Sequence, residues 1–386
     1  MEKITVARRG LFLVSLPIFF INFALPVQAK QLGASALEIG FLFSLFTFSL
    51  LILRPLVGFG LNRFGRKPFF LAAMLSYTGA HAFFATADTI SWMYLARLIQ
   101  GVGAALLLIT INTITTDLTE EAERTSEMGR NIEVQTRSSI VGATIAFTLV
   151  GAIPMAAWHY SFSVFGIAAL FAFVYLTLRF SESQSPSVHE ETGDFQLSPT
   201  LRRFMVIVFF SAFANALIQP IYLIYLQDKF DLRMDQLSWA FIPAALVFAI
   251  LPSRLGKLTH FIGTVNALAL GFVSSGVLYL LLPFLDKIIL FVVLYTVSAI
   301  GWAMSDPARK ALVSTFGDSS TTGRNFGVTE LYAGVGATLG PVVGGYSYDT
   351  YGATVTFVCT GVLLVATAVL AKILLQGNEL TPKKVN

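Results

Sequence analysis

The sequence predicts an all-α membrane protein with twelve transmembrane helices in two six-helix halves. Three observations lead there. The chain of 386 residues is 55% hydrophobic and 12% charged, with a mean hydropathy of +0.72, against about twice that charge in an ordinary soluble domain. Its apolar residues arrive in runs of about 20, the length a helix needs to cross some 30 Å of hydrocarbon. The longest polar interruption, Ser181 to Thr200, falls at the midpoint and is rich in Ser, Pro and Glu, the composition of a flexible linker. The expected division is an N-terminal bundle over 1–180, a cytoplasmic linker over 181–200, and a C-terminal bundle over 201–386.

In order, the N-terminal half is expected to cross at about 10–30, 36–61, 68–87, 90–115, 130–153 and 158–180. The C-terminal half is expected to cross at about 201–228, 235–252, 261–283, 287–313, 326–348 and 351–376. The first run follows Arg8 and Arg9 and ends Val27-Gln28-Ala29, a pattern shared with cleaved signal peptides. Its removal would leave an odd, eleven-span remainder, so it reads as the first helix. Ser35 with Glu38 is a capping box that opens the second helix, and Asp235-Gln236-Leu237 opens the eighth comparably. Asn22 and Pro26 in helix 1 have counterparts in Asn215 and Pro220 of helix 7, a trace of an internal repeat. The loops Asp117–Gly129 and Asp318–Gly327 are a second trace.

Charge then orients the chain. With the N-terminus inside, the cytoplasmic loops collect Arg63, Arg66, Lys67, Arg124, Arg130, Arg202, Arg203, Arg254 and Lys257, among others. The opposite loops hold Lys30, Lys229, Arg233 and Lys287. Both termini are therefore expected in the cytoplasm. The net charge of +4 and the pI near 9.1 report this topology rather than a nucleic-acid partner. One cysteine, Cys359, excludes an internal disulfide framework and a cysteine-cluster metal site.

Gly58, Phe59, Gly60, Leu61, Asn62, Arg63, Phe64, Gly65, Arg66 and Lys67 form a cationic, glycine-punctuated turn between two spans. It resembles the loop between helices 2 and 3 of major facilitator superfamily transporters, roughly Gly-x-Leu-Ala-Asp-Arg-x-Gly-Arg-Lys. Gly58, Arg63, Gly65, Arg66 and Lys67 match, while Asn62 stands where that family usually has Asp. In helix 4, Arg97, Gln100, Gly101, Gly103, Ala104 and Ala105 resemble an exporter motif of the same family. Helix 11 carries Gly336, Gly340, Pro341, Gly344 and Gly345. That run is similar to the one drug/proton antiporters carry on helix 5, and it reads equally as a tight packing seam. Helix 5 itself has Ser138, Gly142, Ala143, Ala146 and Phe147, without the proline and most of the glycines.

The resemblance implies two parallel six-helix halves with a substrate site at their interface. It implies a gating latch between Arg66 or Arg63 and Asp117, and a part for Arg97 in proton coupling. It also implies a monomer in the bacterial cell membrane that needs no cofactor beyond a proton gradient.

Charges within apolar runs are costly unless paired or facing water, so they mark function. Glu133 and Arg137 are spaced i, i+4 and can pair on one helix face. Helix 10 holds Asp306, Pro307 and Arg309, and helix 11 holds Glu330 with Tyr332. The proton-coupling candidates are Asp306, Glu133, Glu330 and Arg97. The blander readings are static ion pairs for the acids and snorkelling to the outer interface for Arg97. Candidate substrate contacts are Asn22, Asn112, Arg137, Asn215, Gln219, Tyr222, Tyr225, Arg309 and Tyr332. His81 in helix 3 reads as a packing residue with its polar atoms satisfied.

Enzyme signatures fail on spacing. Gly60-x4-Gly65 is followed by Arg66, Lys67 and Pro68, without the Lys-Ser/Thr of a phosphate-binding loop. The expected function is secondary active export of small amphipathic compounds from the cytoplasm, by proton antiport and alternating access. The alternative is a dedicated exporter of an endogenous metabolite, such as an opine-type metallophore or siderophore. The expected partners are a small-molecule substrate and the lipid bilayer, with no nucleic acid and no metal.

Overall fold

Proline and glycine decide where the apolar runs become separate helices. The computed structural model describes residues 2–120, 123–153, 156–183, 198–232, 234–250, 261–316 and 322–375. It divides into two compact units, Met1–Gly193 and Asp194–Asn386. The described residues form helices and connections, with no strand among them. Unit 1 contains α1 (Glu2–Ser15), α2 (Ile18–Gln31), α3 (Ala36–Phe64), α4 (Arg66–Ala85), α5 (Ile90–Leu118), α6 (Arg124–Ala152) and α7 (Ala157–Arg179). Unit 2 contains α8 (Pro199–Ile218), α9 (Tyr222–Phe230), α10 (Met234–Ala240), α11 (Ile242–Ile250), α12 (Thr264–Leu281), α13 (Ile288–Thr315) and α14 (Thr322–Leu375). Most of the linker expected over 181–200 lies outside the described residues, as do Arg254, Lys257 and much of the loop from Asp318 to Gly327.

Three expected spans are interrupted. The first is α1 and α2, parted at Pro17, and the seventh is α8 and α9, parted around Pro220. The eighth is α10 and α11, with Phe241 between them and Pro243 just beyond. A proline has no amide to donate and crowds the carbonyl four residues back, so each break follows from its ring. Hydropathy does not register these breaks, because the flanking residues stay apolar.

The stretches expected as the eleventh and twelfth spans are the two arms of α14, which has non-helical backbone at Gly352 (φ 83°, ψ 171°). A straight helix would separate Ser347 from Thr356 by about 13 Å, yet their hydroxyls are 2.9 Å apart. The chain therefore folds back at Gly352, in a backbone region that only glycine visits cheaply. Among the described residues, nine helical stretches are long and apolar enough to cross a membrane. The arms of α14 count there as one stretch, Asn325–Leu375, and α6, which carries Glu127, Arg130, Glu133 and Arg137, is absent.

Unit 1 is cored by Leu11, Phe70, Met74, Leu107, Ile111 and Leu176 from α1, α4, α5 and α7. Unit 2 is cored by Phe204, Ile207, Leu268, Phe272, Leu312 and Ala371 from α8, α12, α13 and α14. Small residues bring the backbones close, as expected where lipid removes the hydrophobic drive between helices. A Cβ on Gly336 would lie 2.6 Å from the Phe209 carbonyl oxygen, and one on Gly340 would lie 2.7 Å from that of Phe213. One on Gly344 would strike the Leu217 carbonyl, so the glycine run is a packing seam between α14 and α8. In unit 1, Gly142 of α6 meets the Leu16 carbonyl in the same way, beside the break at Pro17. The capping box stands: Glu38 N donates to Ser35 Oγ (3.2 Å) and Ser35 N to Glu38 Oε2 (2.8 Å). α10 starts at Met234, one residue before the comparable opening expected at Asp235, whose side chain lies outside the described residues.

Candidate functional site

The loop between α3 and α4 is a single residue, Gly65, with φ 84° and ψ 175°. That sharp corner aims Arg66, the first residue of α4, back into the unit, where it is 5% exposed. Its Nε donates to Asp117 Oδ2 at 2.7 Å and its Nη2 to Asp117 Oδ1 at 3.3 Å. Its Nη1 donates to the Leu61 carbonyl at the end of α3 (3.1 Å). Of the two arginines expected to meet Asp117, it is Arg66 that does. Arg63 is exposed and stacks on the Phe64 ring, 5.3 Å from its centroid. The pair is buried and forked, with side chains 6% and 9% exposed. Gly58 has open space around it, Lys67 Nζ donates to the Thr177 carbonyl (3.0 Å), and the side chain of Asn62 lies outside the described residues.

One partner of this loop is invisible locally. Glu182, beyond the end of α7, accepts from Arg66 N (2.9 Å) and Lys67 N (3.1 Å). More than a hundred residues separate it from the loop, so no spacing rule finds it.

Arg97 of α5 is 3% exposed. Its Nε donates to the Leu42 carbonyl (2.9 Å) and its Nη1 to Gln100 Oε1 (2.7 Å). The guanidinium also lies over the rings of Phe43 and Phe46, at 5.2 and 4.5 Å. It is buried, not snorkelling. Among the described residues no carboxylate pairs with it; neutral dipoles and ring faces hold the charge.

A second network joins α1, α5 and α6. Arg8 Nη2 meets Glu127 Oε2 at 2.6 Å, and Arg8 Nε donates to Asn131 Oδ1 (2.9 Å). Asn131 Nδ2 in turn donates to Thr115 Oγ1 (2.8 Å). The hydrogen bond from Arg8 holds the Glu127 carboxyl below its ordinary value, and Arg130 at 2.8 Å adds to this. In the sequence Arg8 marks only the start of the first apolar run. Its partners on α6 follow no local spacing.

The expected Glu133–Arg137 pair forms, at 3.3 Å, but both side chains are exposed on α6 instead of buried. In unit 2, Arg309 Nη1 contacts Glu330 Oε1 at 3.0 Å and Arg309 Nη2 lies 3.7 Å from Asp306 Oδ1. Lys310 Nζ contacts Asp306 Oδ2 at 2.7 Å. Lys310 went unremarked in the sequence, although i, i+4 from Asp306 is a legible spacing. The cluster holds two acids and two cations, balanced within itself.

The other expected substrate residues scatter. The side-chain amides of Asn22 and Asn215 donate to carbonyls of their own helices, Ile18 (2.8 Å) and Ser211 (2.7 Å). Asn112 is exposed on α5, Gln219 at the end of α8 and Tyr332 on α14. Tyr222 is the hub of a ring cluster: Phe241, Tyr279, Phe291, Tyr295 and Phe357 lie 6.0–6.4 Å away. The rings of Tyr225 and Phe357 meet at a tilt of 40°, with centroids 4.6 Å apart. The Tyr222 hydroxyl is buried without a hydrogen-bond partner among the described residues. His81 departs from expectation: it is fully buried among Tyr77, Phe162 and Phe165, and neither ring nitrogen has a hydrogen-bond partner among the described residues.

The Major Facilitator Superfamily profile matches residues 10–203 and again 204–386. The chain is 22% identical over 372 residues to Multidrug resistance protein 1 of Bacillus subtilis (strain 168), covering 92% of this chain and 95% of that one. It is 21% identical over 375 residues to the quinolone resistance protein NorA of Staphylococcus aureus (strain COL), covering 94% of each. Among solved structures, an auto-inhibited POT family peptide transporter superposes with a TM-score of 0.78 at 11% identity, covering 100% of this chain and 99% of that one.

Proposed function

The chain belongs to the major facilitator superfamily, a family of transporters and not of enzymes, and on that premise we propose that it exports small amphipathic compounds by proton antiport. The observation that carries this reading is likeness along nearly the whole chain to bacterial proteins named for multidrug and quinolone resistance. In this reading the chain crosses the bacterial cell membrane twelve times, with both termini in the cytoplasm, and works as a monomer without a cofactor. Arg66 and Asp117 form the latch that holds one access state. A modest bias suffices there, because a carrier is a two-state equilibrium. Asp306 and Glu330, with Arg309 between them, carry the proton-linked charge exchange, since a carboxylate that loses its arginine to a substrate becomes available to a proton. A membrane potential supplies about 2.3 kcal/mol per charge per 100 mV, enough to drive such a cycle.

The test is purified full-length protein in proteoliposomes with an imposed pH gradient. Ethidium and the zwitterion norfloxacin serve as probes. Gradient-dependent movement of either probe, abolished by a proton ionophore, is the expected result. Movement that ignores the gradient would overturn antiport, and no movement of either would overturn the broad-substrate reading. A dedicated metabolite exporter is the second reading. Its support is Arg309, placed between two acids where an incoming carboxylate could take its fork.

A further inference from the structure

Gly65 solves one problem and creates another. Its positive φ turns the chain between α3 and α4, yet a glycine has no side chain to cap the helix it introduces, and α4 makes no side-chain cap of its own. The first amides of α4 are orphan donors at the positive end of a helix, which a carboxylate stabilises best. Glu182 fills that place, with Oε1 on Arg66 N (2.9 Å) and Oε2 on Lys67 N (3.1 Å). It is held there in turn: Lys3 Nζ donates to its backbone carbonyl (2.9 Å), and the Ser183 hydroxyl reaches Asp117 Oδ2 (3.4 Å). Arg66 therefore gives its backbone to one carboxylate and its guanidinium to another.

From this geometry we infer that Glu182 is a positioning residue for the Arg66–Asp117 latch, holding the α4 N-terminus at the orientation from which the guanidinium reaches Asp117. The inference rests on the gating role proposed for that pair. The chain directly after Glu182 is the Ser-, Pro- and Glu-rich stretch that joins the two halves in sequence. Residues 182–183 thus tie the start of that stretch to both members of the latch. Opening the latch releases this strap, and displacing the strap loosens the latch.

The experiment is a double-mutant cycle on the full-length protein with Glu182→Gln and Asp117→Asn, substitutions that keep size and remove charge. Hydrogen exchange is followed at the Arg66 and Lys67 amides. Each single variant is expected to speed exchange there by about fivefold, the factor for losing one helix cap. The double variant should do no more than either, because both act on one unit. In proteoliposomes with ethidium, Glu182→Gln should lower turnover per folded carrier and leave KM unchanged, with the folded fraction counted separately so that loss of folded protein does not mimic the effect. If Asp117→Asn leaves those amides at wild-type exchange, or if the two effects multiply, Glu182 is a local helix cap and the inference is overturned. Failure of wild type to move either probe, with the exchange cycle still non-additive, would remove the broad-substrate reading and uphold the role of Glu182.

Discussion

Asp117 has a larger effect than a surface charge would, because its partner is buried. Asp117→Ala would leave the Arg66 guanidinium desolvated and unpaired, a loss of about 3 kcal/mol. We expect a lower thermal midpoint as well as slower transport, so melting of the purified variant checks it alongside flux. Arg66→Ala removes the buried charge itself and should cost less stability for a similar loss of transport. Asp306→Asn should abolish proton-driven ethidium export while substrate exchange persists; loss of exchange as well would make Asp306 a ligand or a structural partner of Arg309 and Lys310. Arg137→Lys keeps the charge but loses the fork that grips a carboxylate. It should impair norfloxacin transport more than ethidium transport; equal loss would make the exposed Glu133–Arg137 pair structural. At this scale the sequence was legible where partners are close along the chain or fixed by a motif, as for Glu133 with Arg137 and Arg66 with Asp117. It was silent on Glu182 and on the rings around Tyr222, which four separate segments contribute.

Single residues also govern whole elements. Gly344 of α14 stands against the Leu217 carbonyl with no room for a methyl group. Gly344→Ala should force α8 and α14 apart and lower stability by about 1–3 kcal/mol, read as a drop in thermal midpoint. Gly327, with open space around it, is the control and should tolerate alanine. Existence and approximate extent of the helices were legible, because an apolar run of about 20 residues has few alternatives in a bilayer. The interruptions at Pro17, Pro220 and Phe241 were harder to see. Hydropathy sums over a window and is blind to one missing amide, although the prolines were in plain view. The fold-back at Gly352 was expected as a boundary between two spans, and its cause is a backbone conformation that only the structure displays.

The whole chain responds to pH through the clamp that joins α1 to α6. Arg8 keeps Glu127 ionised more readily in the folded chain than in the unfolded one. Stabilisation from this pair is therefore complete above the ordinary value of 4.5 and is lost as pH falls through the lowered folded value. Glu127→Gln should destabilise the protein at pH 7, and the gap from wild type should close well below pH 4.5, as thermal melts across pH would record. Unit 2 contains a different kind of restraint. Gly336, Gly340 and Gly344 recur every four residues, about 6 Å along a helix axis, and each meets a backbone carbonyl or amide of α8. Sliding α14 by a single residue would carry side-chain-bearing positions onto those same points, and a shift of four would bring Tyr332 or Tyr348 onto one of them. The seam thus behaves as a toothed rack with one engaged position. Whatever rearrangement unit 2 undergoes must carry α8 and the first arm of α14 as one rod, leaving the breaks at Pro220 and Gly352 as the joints on either side.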